Sequence, residues 1–189
     1  MGDRASAIAK LAEVFRERGY EGASLALMSR ATGLGKGSLY NYFPGGKDEM
    51  ADAVIDQISG WFEEEVFTSL RSDLVPADAI MLMIERVDTY FRSGRRTCLV
   101  GNFALGDSRD RFSQVNAYFE VWKEALAQTL VRAGRSKVDA DAAAEDAIAG
   151  IQGALVAARA LNDPELFGRV LRRIERRLMD QCLAIHARI

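Results

Sequence analysis

The stretch 24-SLALMSRATGLGKGSLYNYF-43 reads as two short helices joined by a tight, glycine-bearing turn. Ser24 can offer its hydroxyl oxygen to the free amides of a first helical turn. Leu27, Met28 and Ala31 follow on one apolar face, and Gly33 stands where a helix stops in a left-handed cap. Leu34 turns back toward the core. A second helix spans about Lys36 to Tyr42, with Leu39 and Phe43 at helical spacing on its inner side and Lys36, Ser38 and Asn41 outside. Helix, short turn with glycine, helix is the helix-turn-helix arrangement.

The outward residues suit a polyanion. Lys36 can neutralise a phosphate or reach guanine acceptors, Ser38 can bond either target, and Asn41 can pair with adenine. Tyr40 and Tyr42 add phenolic donors for phosphate oxygens. The pattern alone equally describes a helical hairpin whose polar face is merely solvated.

Ahead of this stretch, a helix from about Arg4 to Arg18 carries Ile8, Leu11, Ala12 and Phe15 on one stripe and stops at Gly19. Three helices within residues 1–47 bury little apolar surface and need support from the rest of the chain. Phe43-Pro44-Gly45-Gly46-Lys47 breaks the pattern, so the expected division is a head, 1–47, and a body, 48–189. Lys47-Asp48-Glu49 then opens a long helix to about Leu70, with the acids at its positive end and Lys47 placed to reach a phosphate.

The body is helical throughout, with no convincing strand. Pro76 suits a first helical turn, followed by Ile80, Met83, Ile84, Val87 and Phe91. The segment 98-CLVGNFALG-106 is a short apolar element. A helix from about Arg111 to Ala133 carries Val115, Phe119, Trp122, Leu126 and Leu130. Asp139–Leu161 contains ten alanines, with Gly150 and Gly153 at its middle. The last helix, Glu165 to about Ala187, repeats Phe167, Val170, Leu171, Ile174, Leu178, Cys182 and Ile185 opposite a basic face of Arg172, Arg173, Arg176 and Arg177. These two long helices suit either closure of the chain's own core or a four-helix bundle with a second copy.

The net charge of −2 conceals an asymmetry. Residues 1–47 hold seven Lys/Arg against four Asp/Glu, which makes that segment +3 and the remainder −5. A basic end on an acidic body points the first segment at a polyanion. No apolar run is long enough to span a membrane, and the N-terminus lacks a secretory h-region, so a cytoplasmic protein without a membrane partner is expected. Cys98 and Cys182 are expected to be reduced thiols. Enzyme chemistry finds no support. The single histidine, His186, is near the C-terminus, no metal-ligand cluster or phosphate-cradling loop is present, and Cys98 has no histidine partner, so no catalytic, metal or cofactor site is expected.

The ordered set Gly19-Tyr20, Ser24, Ala31, Gly33-Leu34, Lys36-Gly37-Ser38-Leu39-Tyr40, Tyr42-Phe43 and Lys47 resembles the TetR family of one-component transcriptional regulators. The turn Phe43–Lys47, the element CLVGNFAL and the stretch 153-GALVAARALNDP-164 resemble its LmrA/YxaF-like branch. Two positions depart from the pattern: Ala23 replaces a hydroxyl residue before Ser24, and Gly35 replaces the Ser or Thr that usually opens the second helix. The resemblance implies an all-α fold of about nine helices, with a three-helix DNA-binding head and a ligand-binding and dimerisation body. It further implies a homodimer joined through the last two long helices, which binds a palindromic double-stranded operator with half-sites roughly 34–36 Å apart or a multiple of that. A small-molecule effector would release the DNA by favouring the non-binding head spacing. Carried onto this sequence, the DNA-contacting set is Ser24, Lys36, Gly37, Ser38, Tyr40, Asn41, Tyr42 and Lys47.

A ligand pocket in such a body is lined by apolar and aromatic groups with a few polar ones. The candidates are Trp61, Phe62, Phe91, Cys98, Asn102, Phe103, Phe119, Trp122 and Gln152. Ordinary core packing explains the apolar members equally well. Asn102 and Gln152 carry more information, because each interrupts an apolar neighbourhood with an amide that needs a partner if buried. Few ionisable groups join the set, so a neutral, mostly apolar or aromatic effector is expected. Two other functions remain open at this point: a helical protein–protein interaction module without an operator, and a TetR-like activator.

Overall fold

The computed structural model describes residues 4–106 and 113–186, the last six by backbone alone. Every regular element among the described residues is helical. In chain order they are α1 Arg4–Gly22, α2 Leu25–Thr32, α3 Lys36–Tyr42, α4 Lys47–Phe62, a π-helical turn Glu63–Phe67, α5 Thr68–Arg71, α6 Pro76–Tyr90, α7 Leu99–Leu105, α8 Ser113–Arg132, α9 Lys137–Ala160 and α10 Glu165–His186. Phe62 and Phe67 keep helical backbone angles, so α4, the π turn and α5 run on as one rod. The described chain is therefore an all-α arrangement of nine rods. The expected helix start at Arg111, and the side chains of Cys182, Ile185 and His186, lie outside the described residues.

The chain packs as two compact units. The first holds residues up to Gly60 together with Leu99–Tyr118, and the second holds Trp61–Cys98 together with the chain from Phe119 onward. The expected division between 47 and 48 falls at the first residues of α4, while the first unit continues along that helix and takes in α7. The short head helices bury too little surface to stand alone. Met50, Ala51, Val54 and Ile55 of α4 and Val100 and Phe103 of α7 enlarge the core made by Ile8, Leu11, Ala12, Phe15, Met28 and Leu39.

Local signals set the helix ends in this unit. Gly19 (φ 67°, ψ 176°) breaks the helical path of α1. Ser24 caps α2, its Oγ accepting from the Leu27 amide at 3.3 Å. Gly33 ends α2 in the left-handed conformation, φ 74°, its N–H returning to the Ser29 carbonyl. One detail differs from the periodic reading of α2: Thr32 is buried and Ala31 is exposed. The Thr32 hydroxyl satisfies itself inside, donating to the Met28 carbonyl at 2.8 Å and accepting from the Leu34 amide at 3.3 Å. Its polarity therefore carries no burial penalty.

In the second unit, Phe62, Phe67, Leu70, Met83, Val87, Phe91, Trp122, Leu126, Leu130, Leu155 and Phe167 form the core. The end of α5 is tied to α8. Thr129, fully buried, donates at 2.6 Å to the Leu70 carbonyl, and Arg132 donates to the carbonyls of Leu70 and Ser72. A hydroxyl and a cation thus satisfy carbonyls that a helix end leaves without partners. α9 and α10 pack on one another, and Gly150 permits it: a Cβ there would sit 3.1 Å from Ile174 Cδ1.

Gly94, in the turn after α6, is the most constrained glycine of this unit. Its φ is +87°, and a Cβ would lie 2.6 Å from Phe167 Cβ and 2.7 Å from the Pro164 carbonyl oxygen. Backbone strain and a clash with backbone act together in Gly94→Ala, which is expected to destabilise by about 2–4 kcal/mol. Urea unfolding followed by circular dichroism measures this, and a loss below about 1 kcal/mol would mean the turn relaxes freely.

Candidate nucleic-acid interface and ligand-body residues

The short α3 is held from its buried side. Leu39 and Phe43 are fully buried, while Lys36, Gly37, Ser38, Tyr40 and Asn41 are exposed and Tyr42 is half-buried. The turn before α3 is fastened by Ser29, whose Oγ donates to the Leu34 carbonyl at 2.5 Å. Two cations from α1 sit on the helix ends. Lys10 Nζ donates to the Thr32 carbonyl at 3.4 Å at the end of α2, and Arg4 Nε donates to the Tyr42 carbonyl at 3.4 Å at the end of α3. The Arg4 guanidinium also lies 4.9 Å from the centroid of the Phe43 ring. Positive charge at a helix C-terminus complements its dipole.

These contacts leave a face of one lysine, one serine, one asparagine and a tyrosine directed away from the core. Tyr40 is 43 % exposed, and its Cε1 lies 3.5 Å from where a Cβ on Gly46 would be, so the ring lies beside the turn that leads into Lys47. Ser24 is exposed and occupied as the cap of α2, and Lys47 is half-buried. Arg4 and Lys10, absent from the sequence-derived set, are the residues that hold the helix ends. Their contacts span 38 and 22 residues, beyond the reach of periodicity.

The nine ligand candidates separate between the units. Asn102 and Phe103 stand on α7 in the first. Asn102 is exposed, and Phe103 is buried with its ring 5.7 Å from Phe15 and 6.2 Å from Tyr20. Trp61, Phe62, Phe91 and Trp122 belong to one aromatic cluster of the second unit. The Phe62 ring is 5.1 Å from Trp61, 5.4 Å from Trp122 and 6.3 Å from Phe91. Tyr90 at 4.8 Å and Phe67 at 5.9 Å from Phe62, and Phe167 at 5.9 Å from Phe91, join it. Cys98 is buried, and Phe119 is half-buried. Gln152 on α9 is half-buried, and its Nε2 is shielded from solvent without a hydrogen-bond partner. A groove of about 740 Å³ in this unit is lined by other residues, among them Leu70, Lys123, Ala127 and Glu145. Among the described residues no cluster of His, Cys, Asp and Glu could hold a metal ion, and no helix is long and apolar enough to cross a membrane.

Residues 7–54 match the N-terminal region of the bacterial regulatory proteins of the tetR family, and residues 76–173 match the C-terminal domain of LmrA/YxaF-like transcriptional regulators. The chain belongs to the TetR family. Its LmrA/YxaF-like body accounts for more than half of the sequence. An HTH-type transcriptional regulator of Mycobacterium tuberculosis is 26% identical over 170 residues, covering 86% of this chain and 87% of that one. The HTH-type transcriptional repressor DhaR of a Mycobacterium species is 26% identical over 162 residues, covering 79% and 78%. The crystal structure of a TetR regulator from Legionella pneumophila superposes with a TM-score of 0.80 over 93% of this chain and 97% of that one, at 22% identity. The protein is thus a transcriptional regulator with a helix-turn-helix head.

The family head here also carries an acidic flank. Arg4, Ile8, Glu49, Asp52, Asp56 and Gln57 border a shallow groove of about 480 Å³. Burial raises the Asp52 pKa above its ordinary 3.8, and the carboxylates of Asp56 and Asp48 raise it further, against a hydrogen bond from Gln114. A raised folded-state pKa means that ionising Asp52 costs the folded state more than the unfolded one. Stability is therefore lost as pH rises from about 3.8 through the raised value. Asp52→Asn is expected to raise the melting temperature at pH 7 and to leave it unchanged near pH 3, where both side chains are neutral. Thermal melts of the two proteins at the two pH values check this.

Proposed function

We propose that the chain is a homodimeric, ligand-responsive repressor of a palindromic operator, acting in the cytoplasm. The observation that carries the reading is the exposed face of Lys36, Ser38, Tyr40 and Asn41 on a helix whose other side is buried and whose turn is fastened. Such a helix fits the major groove, with Lys36 and Tyr42 on phosphates, Ser38 and Asn41 on base edges, and Ser24, Gly37, Tyr40 and Lys47 along the backbone. The relative DhaR is named a repressor, which supports that sign of regulation. Residues 1–47 would serve the DNA and residues 48–189 the effector and the second copy.

The effector would be neutral and mostly apolar or aromatic. The cluster of Trp61, Phe62, Phe91 and Trp122 supplies ring surface, and the Gln152 amide supplies a donor without a partner in the chain. Binding would release DNA only through a difference in affinity between the two head spacings. The dimer would form through α9 and α10. On α9, Val138, Ala142, Ala149, Gly153, Val156 and Ala160 are exposed at helical spacing, Val138 and Val156 by 78% and 63%. A Cβ at Gly153 would meet nothing in the chain within 4 Å. A small, apolar strip of that length allows close approach of a second helix.

Selection of bound sequences from a random duplex pool tests the reading, an inverted repeat being the expected outcome. No enrichment by folded, dimeric protein would favour an interaction module instead. On the selected operator, Asn41→Ala is expected to relax preference at one base pair by roughly 1–3 kcal/mol. Lys36→Ala should weaken binding to all sequences and lower the log–log salt slope by about one. Parent-like binding by both variants would remove α3 from the interface. Gly153→Phe, at a position where a Cβ meets nothing in the chain within 4 Å, is expected to yield a folded monomer in analytical ultracentrifugation; a persisting dimer would move the interface elsewhere.

A further inference from the structure

Lys47 is the one residue of the DNA-contacting set whose charged end the chain itself engages on two sides. Its Nζ lies 4.4 Å from the centroid of the Tyr20 ring and donates to the Glu21 carbonyl at 3.3 Å. The ring is fixed in turn. Its hydroxyl donates to the Asp48 carboxylate, Phe15 stacks nearly parallel to it at 6.1 Å, and Phe103 of α7 meets it edge-on at 6.2 Å. Elements α1, α4 and α7 therefore all bear on one tyrosine.

We propose that Tyr20 is a positioning residue for DNA binding, which holds the Lys47 ammonium ready for a backbone phosphate. The proposal rests on the DNA-binding reading above. Three physical points carry it. A lysine fixed only on contact gives up its rotamer freedom at that moment, and a lysine already seated on a ring face has given up part of it beforehand. An ammonium has three donors, and Glu21 takes one, so donors remain for a phosphate. Asp48 follows Lys47 directly in sequence, and the Tyr20 hydroxyl gives its carboxylate a partner other than that ammonium. The position is also suitable, since Lys47 follows the Gly46 turn beside which the exposed Tyr40 ring of α3 lies.

The test is a double-mutant cycle on full-length protein with a labelled duplex of about 30 base pairs of arbitrary sequence, because a phosphate contact needs no operator. Affinities are measured over a series of KCl concentrations, and circular dichroism verifies folding. Lys47→Ala is expected to weaken binding about 3- to 10-fold and to lower the salt slope by about one. Tyr20→Leu should weaken binding by about the same factor in the parent and by less than about 1.5-fold in the Lys47→Ala background. Tyr20→Phe keeps the ring and loses the Asp48 bond, and should give a smaller loss that also vanishes without Lys47. It supplies the answer if Tyr20→Leu does not fold. Equal losses in both backgrounds, or none in the parent, overturn the positioning role while DNA binding stands. A folded parent that binds no duplex even at low salt overturns both readings, and is distinguished by the parent measurement alone.

Discussion

A helix of seven residues cannot hold itself. Nucleating a helical turn is costly, and isolated helices shorter than about 12–15 residues are marginal in water. The direction of α3, and hence of every group on its outer face, is therefore set by what surrounds it. Leu39 and Phe43 anchor it from beneath, Arg4 binds its last carbonyl while lying over the Phe43 ring, and the Ser29 and Thr32 hydroxyls close the turn before it. These fastenings draw on α1 and α2, and α4 and α7 thicken the core on which they rest. The outer face can then be almost wholly polar, because none of its side chains is needed to keep the helix in place.

The second unit solves a different problem. It has apolar surface in plenty, with rings from α4, the π turn, α6, α8 and α10 each within about 6.5 Å of a neighbouring ring, in the range where edge and offset contacts add to burial. Its polar groups are the scarce and informative ones. Thr129 and Arg132 meet carbonyls at the end of α5, and Ser136 caps α9 by accepting from the Asp139 amide. Others stay unmatched, among them the Gln152 amide nitrogen and the Thr97 hydroxyl, each shielded from water without a hydrogen-bond partner. A buried donor left unmatched costs roughly 1–3 kcal/mol. The Gln152 amide would therefore gain from a molecule that supplies an acceptor.

What the sequence made legible is what short-range chemistry encodes. The Ser24 cap, the glycine stops at 19 and 33, Pro76 at the start of α6 and the division of α3 into buried and exposed faces all follow from signals within one or two turns. Contacts between distant positions were not legible. Nothing in the local pattern of Lys47 shows the Tyr20 ring or the Glu21 carbonyl, because 26 residues separate donor from acceptor. Phe103 reads as one more aromatic of the body, yet it packs with Phe15 and Tyr20 in the first unit. Thr32 is absent from the periodic apolar face of α2, because the backbone groups that satisfy its buried hydroxyl cannot be read from the spacing.

Glycines show the same limit more sharply, since their composition says only that space is left. In α9, Gly150 and Gly153 look alike in sequence, but a Cβ on the first would press on Ile174 and one on the second would meet nothing. Gly37, inside α3, is likewise surrounded by open space. A glycine within a helix weakens it by roughly 0.5–1 kcal/mol relative to alanine. Gly150 has an internal reason that offsets this. Gly37 and Gly153 have none within the chain, and the shorter of their two helices can least absorb the loss. Both stand on surfaces proposed above to meet something arriving from outside: the duplex for α3 and a second copy for α9. Bare backbone is what close approach requires, and that common requirement links two assignments that otherwise share no residue.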